Sequence, residues 1–519
     1  MKRPLHHAMR QVTLAALISV GLGSAQADER EDLETLKQTT INLIQALVQQ
    51  GVLPADKADA LVKQAEAKAK AAVADAKKTE QATVRVQFVP VSVRKQIADE
   101  VREEVVAQAK AERWGDVNAV PEWVDRFKFE GDLRLGYQRD MFSESNAGAD
   151  FFRVQGQNIA NTTEDRDRAR LRARLGVTAR VTPDITANLR LVTGSSGDPV
   201  STNQTLGSYG SKYTFALDRA FLRARSTEFL PWLTTTAGRI PNPFFSTDLM
   251  WDDDLNFDGL ALQYEDPVAA TRTWRPFGTV GVFPLEDIQT SESNQAKSKW
   301  LVAAQGGVEW VPSNDLRAKV GLGLYDFRNI SGVRNSNSTN TDDTSPLSRQ
   351  KGNTLFNISN PAAFNFNGPF GLANDYQVLN LTGAVDFNLY NPVHLIVTGD
   401  YVKNIGLSSS KTLARSGLTL PKQDTGYMVR VAVGMPAMLL KNDWQLSLAY
   451  RYLEADATVD AFTDSDFHLG GTNSKGFIVG AQYGLSRNTW INARWLSSRE
   501  IRGLPLTINT LQVQLNAKF

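Results

Sequence analysis

From Phe127 to the last residue the chain repeats one constraint: in successive segments of about 9–15 residues, every second side chain is apolar or aromatic. In 127–139 one face carries Phe127, Phe129, Leu133, Leu135 and Tyr137, and the other Lys128, Glu130, Asp132, Arg134 and Gln138. In 300–310 the apolar face is Trp300, Val302, Ala304, Val308 and Trp310; in 444–452 it is Trp444, Leu446, Leu448, Tyr450 and Tyr452. A period of two places neighbours on opposite sides of a strand. The aromatics gather at segment ends. Sixteen such segments are predicted: 127–139, 166–180, 185–194, 214–226, 232–240, 257–265, 274–283, 298–311, 315–328, 375–389, 392–404, 424–436, 442–455, 475–485, 489–499 and 509–519.

Their connections sort by length. Odd-numbered segments are followed mostly by long ones (140–165, 195–213, 241–256, 284–297, 329–374, 405–423, 456–474 and a shorter 500–508). Even-numbered segments are followed by tight turns such as 181–184, 312–314, 390–391 and 486–488. Long loops on one rim and short turns on the other is the arrangement of a transmembrane antiparallel β-barrel with aromatic girdles. A β-sandwich has no reason to sort its loops this way, and the irregular spacing argues against a β-helix or propeller. After residue 27 no run of about 18 apolar residues occurs, which excludes transmembrane helices but not a closed sheet, whose backbone groups are all paired in lipid.

The segment before the barrel reads differently. Lys2, Arg3 and Arg10 precede an apolar stretch from Val12 to Leu22 and the small-residue pattern Ala25-Gln26-Ala27. This predicts a secretory signal peptide over 1–27. The stretch is too short for a membrane anchor. Residues 28–126 read as helices, with Leu33, Leu36, Leu43 and Leu47 on one stripe, an Ala/Lys-rich stretch over 58–78, and Val93, Ile97, Val101 and Val105 on a further face. Such sparse stripes suit a coiled-coil periplasmic segment better than a globular core. The expected organisation is therefore 1–27 signal peptide, 28–126 helical periplasmic segment and 127–519 outer-membrane barrel.

Composition removes several chemistries. The chain contains 57 Lys plus Arg, 56 Asp plus Glu, no cysteine and 4 histidines, two of them (His6 and His7) in the signal segment. A net charge of +1 lacks the basic footprint of nucleic-acid binders. Without cysteine there are no disulfides, Cys-ligated metals, thiol nucleophiles or lipoprotein anchor. His394 and His468 stand apart from any nucleophile or metal-spaced cluster in the sequence, and no phosphate- or dinucleotide-binding fingerprint occurs. The expectation is no enzyme, no metal and no cofactor. Nor do about 99 residues of helix suit the plug of a TonB-dependent transporter.

Two stretches carry a resemblance: Asp165-Arg-Asp-Arg-Ala-Arg-Leu-Arg-Ala-Arg-Leu-Gly176, running into the turn Thr182-Pro183-Asp184, and Gly238-Arg-Ile-Pro-Asn-Pro-Phe-Phe245 continuing through Trp251-Asp-Asp-Asp254 to Asp258-Gly259. With the helical preamble and Pro121-Glu122-Trp123, they resemble the "putative porin" family of Gram-negative outer membranes. That resemblance implies a barrel and passive diffusion, but no substrate. The last strand, with Leu511, Val513, Leu515, Ala517 and Phe519 on one face, resembles the signal read by the outer-membrane assembly machinery.

In the second segment Arg166, Arg168, Arg170, Arg172 and Arg174 share one face, opposite Ala169, Leu171, Ala173, Leu175 and Val177. An arginine facing lipid at mid-membrane costs about 2–4 kcal/mol, so all five are expected in the lumen. Arg190, Arg223, Arg225 and Arg239 are expected to extend this basic wall, with the register of the fourth segment ambiguous. The third long connection supplies Asp248, Asp252, Asp253, Asp254 and Asp258 around Met250-Trp251. Folded inward, as in general porins, these would face the arginines across a constriction and favour anions or zwitterions. A blander reading pairs the arginines with Glu130, Asp132 and neighbouring carboxylates, or sets the acidic loop against divalent cations at the lipopolysaccharide surface. The connection 329–374 is expected to cap the mouth.

The sequence thus reads as a sixteen-stranded porin conducting small hydrophilic, anionic solutes. Expected partners are outer-membrane lipid and lipopolysaccharide, the assembly machinery and a homotrimer, with peptidoglycan contact through the helices. The alternative is a structural envelope tether anchored by the barrel. A third reading, the sheath of an electron conduit, would need a multihaem partner.

Overall fold

The computed structural model describes residues 126–226, 228–365 and 367–519. The expected signal peptide and, apart from Arg126, the helical segment lie outside them. All sixteen expected segments form strands: Phe127–Phe142 (β1), Arg166–Arg180 (β2), Ile185–Val192 (β3) and Ala216–Ala224 (β4). Next come Leu233–Pro241 (β5), Asn256–Glu265 (β6), Trp274–Glu286 (β7) and Lys299–Ser313 (β8). The second half comprises Leu316–Arg328 (β9), Tyr376–Tyr390 (β10), Val393–Asn404 (β11) and Thr425–Gly434 (β12). Trp444–Leu453 (β13), Ser474–Ser486 (β14), Thr489–Glu500 (β15) and Thr507–Lys518 (β16) complete the set.

Each strand pairs antiparallel with its neighbours in sequence, and β1 pairs with β16, closing a sixteen-stranded barrel. A two-residue strand, Gln204–Thr205, adds to β2 beyond the end of β3. The seam runs from Asp132↔Lys518 to Phe142↔Ile508. It carries side-chain hydrogen bonds as well: Arg134 Nε to Asn516 (2.9 Å), Thr510 Oγ1 to Asp140 (3.0 Å) and Gln512 Nε2 to Gln138 (3.3 Å).

Alternation decides the faces. Leu133, Leu135, Leu189, Leu222, Val280, Leu322, Val429 and Leu446 are exposed on the outside, where hydrocarbon would cover them. Gln138, Asp140, Asn380, Asp400 and Gln512 are buried on the inside. Two aromatic belts bound the apolar band. Trp274 stacks on Trp310 (5.6 Å between centroids) and Trp232 lies 6.1 Å from Tyr264 at the short-turn rim. Tyr427 stacks on Tyr452 (5.2 Å) and Tyr450 meets Phe477 (4.9 Å) toward the long-loop rim.

The long loops are built against one another. Connection 329–375 contains the hairpin Leu355–Asn357 with Phe370–Leu372, and joins neighbours on either side of the mouth. Asn353 Nδ2 donates to the carbonyls of Ala455 and Thr458 (2.6 and 2.8 Å), and Gly352 N donates to Gln157 (2.7 Å). Arg415, on the helix Ser409–Ser416, binds Asp375 (2.7 Å).

Candidate pore constriction and vestibule

The loop between β5 and β6 turns into the barrel, and its sequence explains why. Pro241 and Pro243 cannot continue a ladder. Asn242 Oδ1 accepts from Phe244 N (3.0 Å), setting the turn. Gly238 (φ +121°) pairs with Gly259 (φ +142°), and a Cβ on Gly238 would sit 2.3 Å from the Ala220 carbonyl oxygen. Only glycine allows β5 and its neighbours to approach this closely.

Inside, the loop rests on an aromatic core. Leu249, Met250 and Trp251 are at most 1% exposed. Trp251 meets Phe257 (5.1 Å) and Tyr325 (5.2 Å) edge-on, and Phe244 meets Tyr325 (5.1 Å). Such pairs add about 0.5–1.5 kcal/mol each beyond their burial. Polar anchors complete the hold: Thr247 N and Oγ1 donate to Asp400 on β11 (3.1 and 2.5 Å), and Phe245 exchanges two hydrogen bonds with the Gln305 side chain on β8 (2.7 Å each). The β5–β12 side of the lumen is therefore filled, and the remaining polar wall lies around β1–β3 and β16.

That wall holds the arginine ladder, already partnered. Arg168 binds Asp140 (2.5 Å), Arg172 binds Asp132 (2.8 Å), and Arg174 binds Asp254. Arg170 donates to Gln138 (2.5 Å) and lies 3.8 Å from Asp466. Arg166 makes no ion pair among the described residues and lines the outer cavity. On β3, Arg190 Nε binds Asp218 (2.6 Å). The fourth strand's register shifts by a bulge, so that Asp218 and Arg219 both face the lumen, where each bonds Asn256 (2.8 Å). Beyond the bulge Arg223 and Arg225 share Glu265 near the short-turn rim (2.8 and 2.7 Å).

The acidic residues separate. Asp254 reaches across to Arg174, with Arg172 4.0 Å away, and accepts from Thr202 N and Oγ1 (3.0 and 2.8 Å). Against the cost of burial, Arg174 and Arg172 hold its carboxyl below the usual range. Asp252 accepts from Ser465 N (3.0 Å) and Asp254 N (2.7 Å). Asp253 is exposed and Asp248 half-buried, and neither makes an ion pair among the described residues. Arg239 and Asp258 require a correction: they pair with each other (3.1 Å) on the outward face, and do not line a pore. Their chain neighbours Ile240 and Phe257 point inward and are buried in the loop's core. The lumen is apolar at this point, so polar residues there turn out.

Asp252 yields a pH prediction. Burial, with Asp464 and Asp254 close by, pushes it up to about 9 from an ordinary 3.8. It is neutral at pH 7 and gains charge through pH 9. Unfolded, it ionises near 3.8, so its contribution to stability falls from pH 4 to about 9 and is constant above. The cation-to-anion permeability ratio is expected to rise between pH 8 and 10, and Asp252→Asn to abolish that component. Equal slopes in both proteins, measured by reversal potential, would refute this.

Several partners escaped the sequence reading. Asp140 was legible as a period-two neighbour of Asp132 and Gln138. Asp464 and Asp466 come from the β13–β14 loop, where no periodicity announces them. His394 binds Asp386 (2.7 Å). His468 bonds Ser498 Oγ (2.9 Å) and Glu500 (2.7 Å), an arrangement resembling a catalytic triad. His468 and Ser498 are at most 4% exposed, and Ser498 Oγ also donates to the Ile508 carbonyl (2.9 Å). Both side chains are below the surface, and the network ties loop to wall.

Above the ladder, between β1–β2 and loops 195–201 and 345–351, lies a vestibule of about 820 Å³. It opens on the same polar wall that Asp254 closes below. A closed sixteen-stranded barrel with an inward third loop over a charged wall is accompanied by a match in sequence: the family model described as "putative porin" matches residues 37–519. The chain belongs to the putative porin family. It is thereby a porin-like channel of the outer membrane. No curated protein matches it. Among solved structures, the high-pH form of Pseudomonas putida OprB is similar at 11% identity and a TM-score of 0.46, covering 77% of this chain and 96% of that one. The outer membrane channel DcaP of Acinetobacter baumannii is similar at 11% identity and a TM-score of 0.41 (76% and 97% covered). A loop-deleted OmpT of Vibrio cholerae gives 12% and 0.40 (76% and 99%).

Proposed function

We propose that this family member lets small hydrophilic solutes diffuse passively through a water-filled lumen, with a preference for anions. The observation that carries the reading is the division of the interior: one side filled by the third loop, the other a charged wall. Ion pairing tempers the anion preference. Four of the five ladder arginines have a carboxylate within 4.0 Å, so the field arises from guanidinium groups aimed by their partners rather than from bare charge. Full-length protein in a planar bilayer is expected to give discrete current steps and an anion-selective reversal potential in a KCl gradient. Selectivity unchanged in an Arg170→Ala/Arg172→Ala variant would remove the arginines from the account. Absence of steps, with protein retained on peptidoglycan, would favour the tether.

A further inference from the structure

The vestibule holds an imbalance that the ladder does not explain. Five cationic side chains line it, Arg166, Arg168 and Arg170 from β2 with Arg349 and Lys351 from the β9–β10 loop, against Asp140 and Asp198 in the lining and Asp466, 3.8 Å from Arg170. Asp140 is already engaged by Arg168, Gln138 and Thr510. Asp198 turns an oxygen to Val200 N (3.1 Å). On the loop side neither cation has an ion pair among the described residues, although Arg349 lies over the Phe370 ring (6.0 Å). Lys351 is 3% exposed, and its Nζ is buried without a hydrogen-bond acceptor among the described residues. Arg349 Nη1 is likewise buried and unpaired, as are the Nε atoms of Arg168 and Arg170. Glu500 and Asp460 are the carboxylates that act on Lys351, but neither forms an ion pair with it.

Unpaired donors of this kind are costly, and charged ones more so. They are tolerated where something else supplies the acceptor. A water molecule can accept hydrogen bonds but cannot offset the charge. An oxyanion does both, and arginine's planar fork matches its oxygens in pairs. Five cations against three carboxylates leave an excess of two charges, which a dianion matches and a single negative charge only halves.

We propose that the vestibule is a binding site for a dianionic oxyanion of the phosphate type, free or carried as a monoester on a small solute. Lys351 and Arg349 hold it from the loop side, and Arg168 and Arg170 from the wall. The site would concentrate such solutes above the constriction. This rests on the channel reading only for its consequence; the binding itself does not require conduction.

The test therefore has two readouts on full-length protein. Calorimetry in detergent with inorganic phosphate at constant ionic strength should show saturable binding, weakened at least tenfold in Lys351→Met/Arg349→Met, while Lys351→Arg retains it. Chloride currents in a planar bilayer should fall with added phosphate over the same concentration range. Phosphate binding no stronger than that of chloride, or binding indifferent to the double substitution, overturns the site. Binding without current steps leaves the site standing and overturns the channel. If the double variant does not fold, an indistinguishable titration of Lys351→Met alone from the unaltered protein overturns the role of Lys351.

Discussion

Replacing Trp251 with alanine is expected to raise single-channel conductance severalfold while leaving the barrel assembled. The indole is 1% exposed and contacts Phe257, Tyr325, Phe327 and Phe462, so it joins the third loop to β6, to β9 and to the β13–β14 loop. Truncating such a side chain costs about 3–5 kcal/mol. The sixteen ladders do not depend on it, so the loss falls on the loop's attachment to the wall. The loop's end stays tied through Asp252 to Ser465 and through Asp254 to Thr202 and Arg174. Its first half is held to the wall by the four hydrogen bonds of Thr247 to Asp400 and Phe245 to Gln305. At about 0.5–1.5 kcal/mol net each, they do not exceed that loss by a wide margin. Limited proteolysis within 242–255 should become fast in the variant. Unchanged conductance with a cleavable loop would show that this loop is not what narrows the pore.

The second large effect is on selectivity. Asp254→Asn keeps an acceptor for Thr202 but removes the charge opposite Arg174 and Arg172. Among the described residues Arg174 then keeps Asp132, at 4.0 Å, as its carboxylate, besides its hydrogen bond to Thr202 Oγ1 (3.1 Å). A unit charge at about 4 Å is worth about 1 kcal/mol even in bulk water and more in a confined lumen. The anion-to-cation permeability ratio should therefore rise at least roughly fivefold. An unchanged ratio would mean that Asp132 alone sets the charge of this wall. Both variants can be read in the same KCl gradient, and they should differ: the tryptophan variant changes current more than selectivity, and the aspartate variant the reverse.

The strands were legible because a wall between lipid and water imposes a period of two on every residue. β2 shows it most plainly: five arginines cannot sit in hydrocarbon, so the ladder's orientation followed from sequence alone. What failed did so where the wall does not separate lipid from water. The expectation for Arg239 is an inward place on the basic wall, and for Asp258 one in the acidic connection folded into the barrel. Around Ile240 and Phe257 the lumen is itself apolar, because Trp251 and Phe244 pack there. The bulge at Asp218–Arg219 had no sequence mark, since one extra residue is invisible until its neighbours' register is known. The loop contacts of Lys351, Asp464 and Asp466 depend on how surface loops pack across the mouth, which carries no period at all.

The position of the closing seam has a consequence for how selectivity comes into being. β1 and β16 are distant in sequence, yet the hydrogen bonds between them, which join Arg134 with Asn516, Asp140 with Thr510 and Gln138 with Gln512, belong to the charged wall. The third loop, by contrast, can settle on strands drawn from the middle of the chain. An open sheet would keep the ion pairs between β1 and β2 but lack the part of the wall that β16 supplies. Under the proposed function, the joint that completes the ring is therefore also part of the surface that solutes meet.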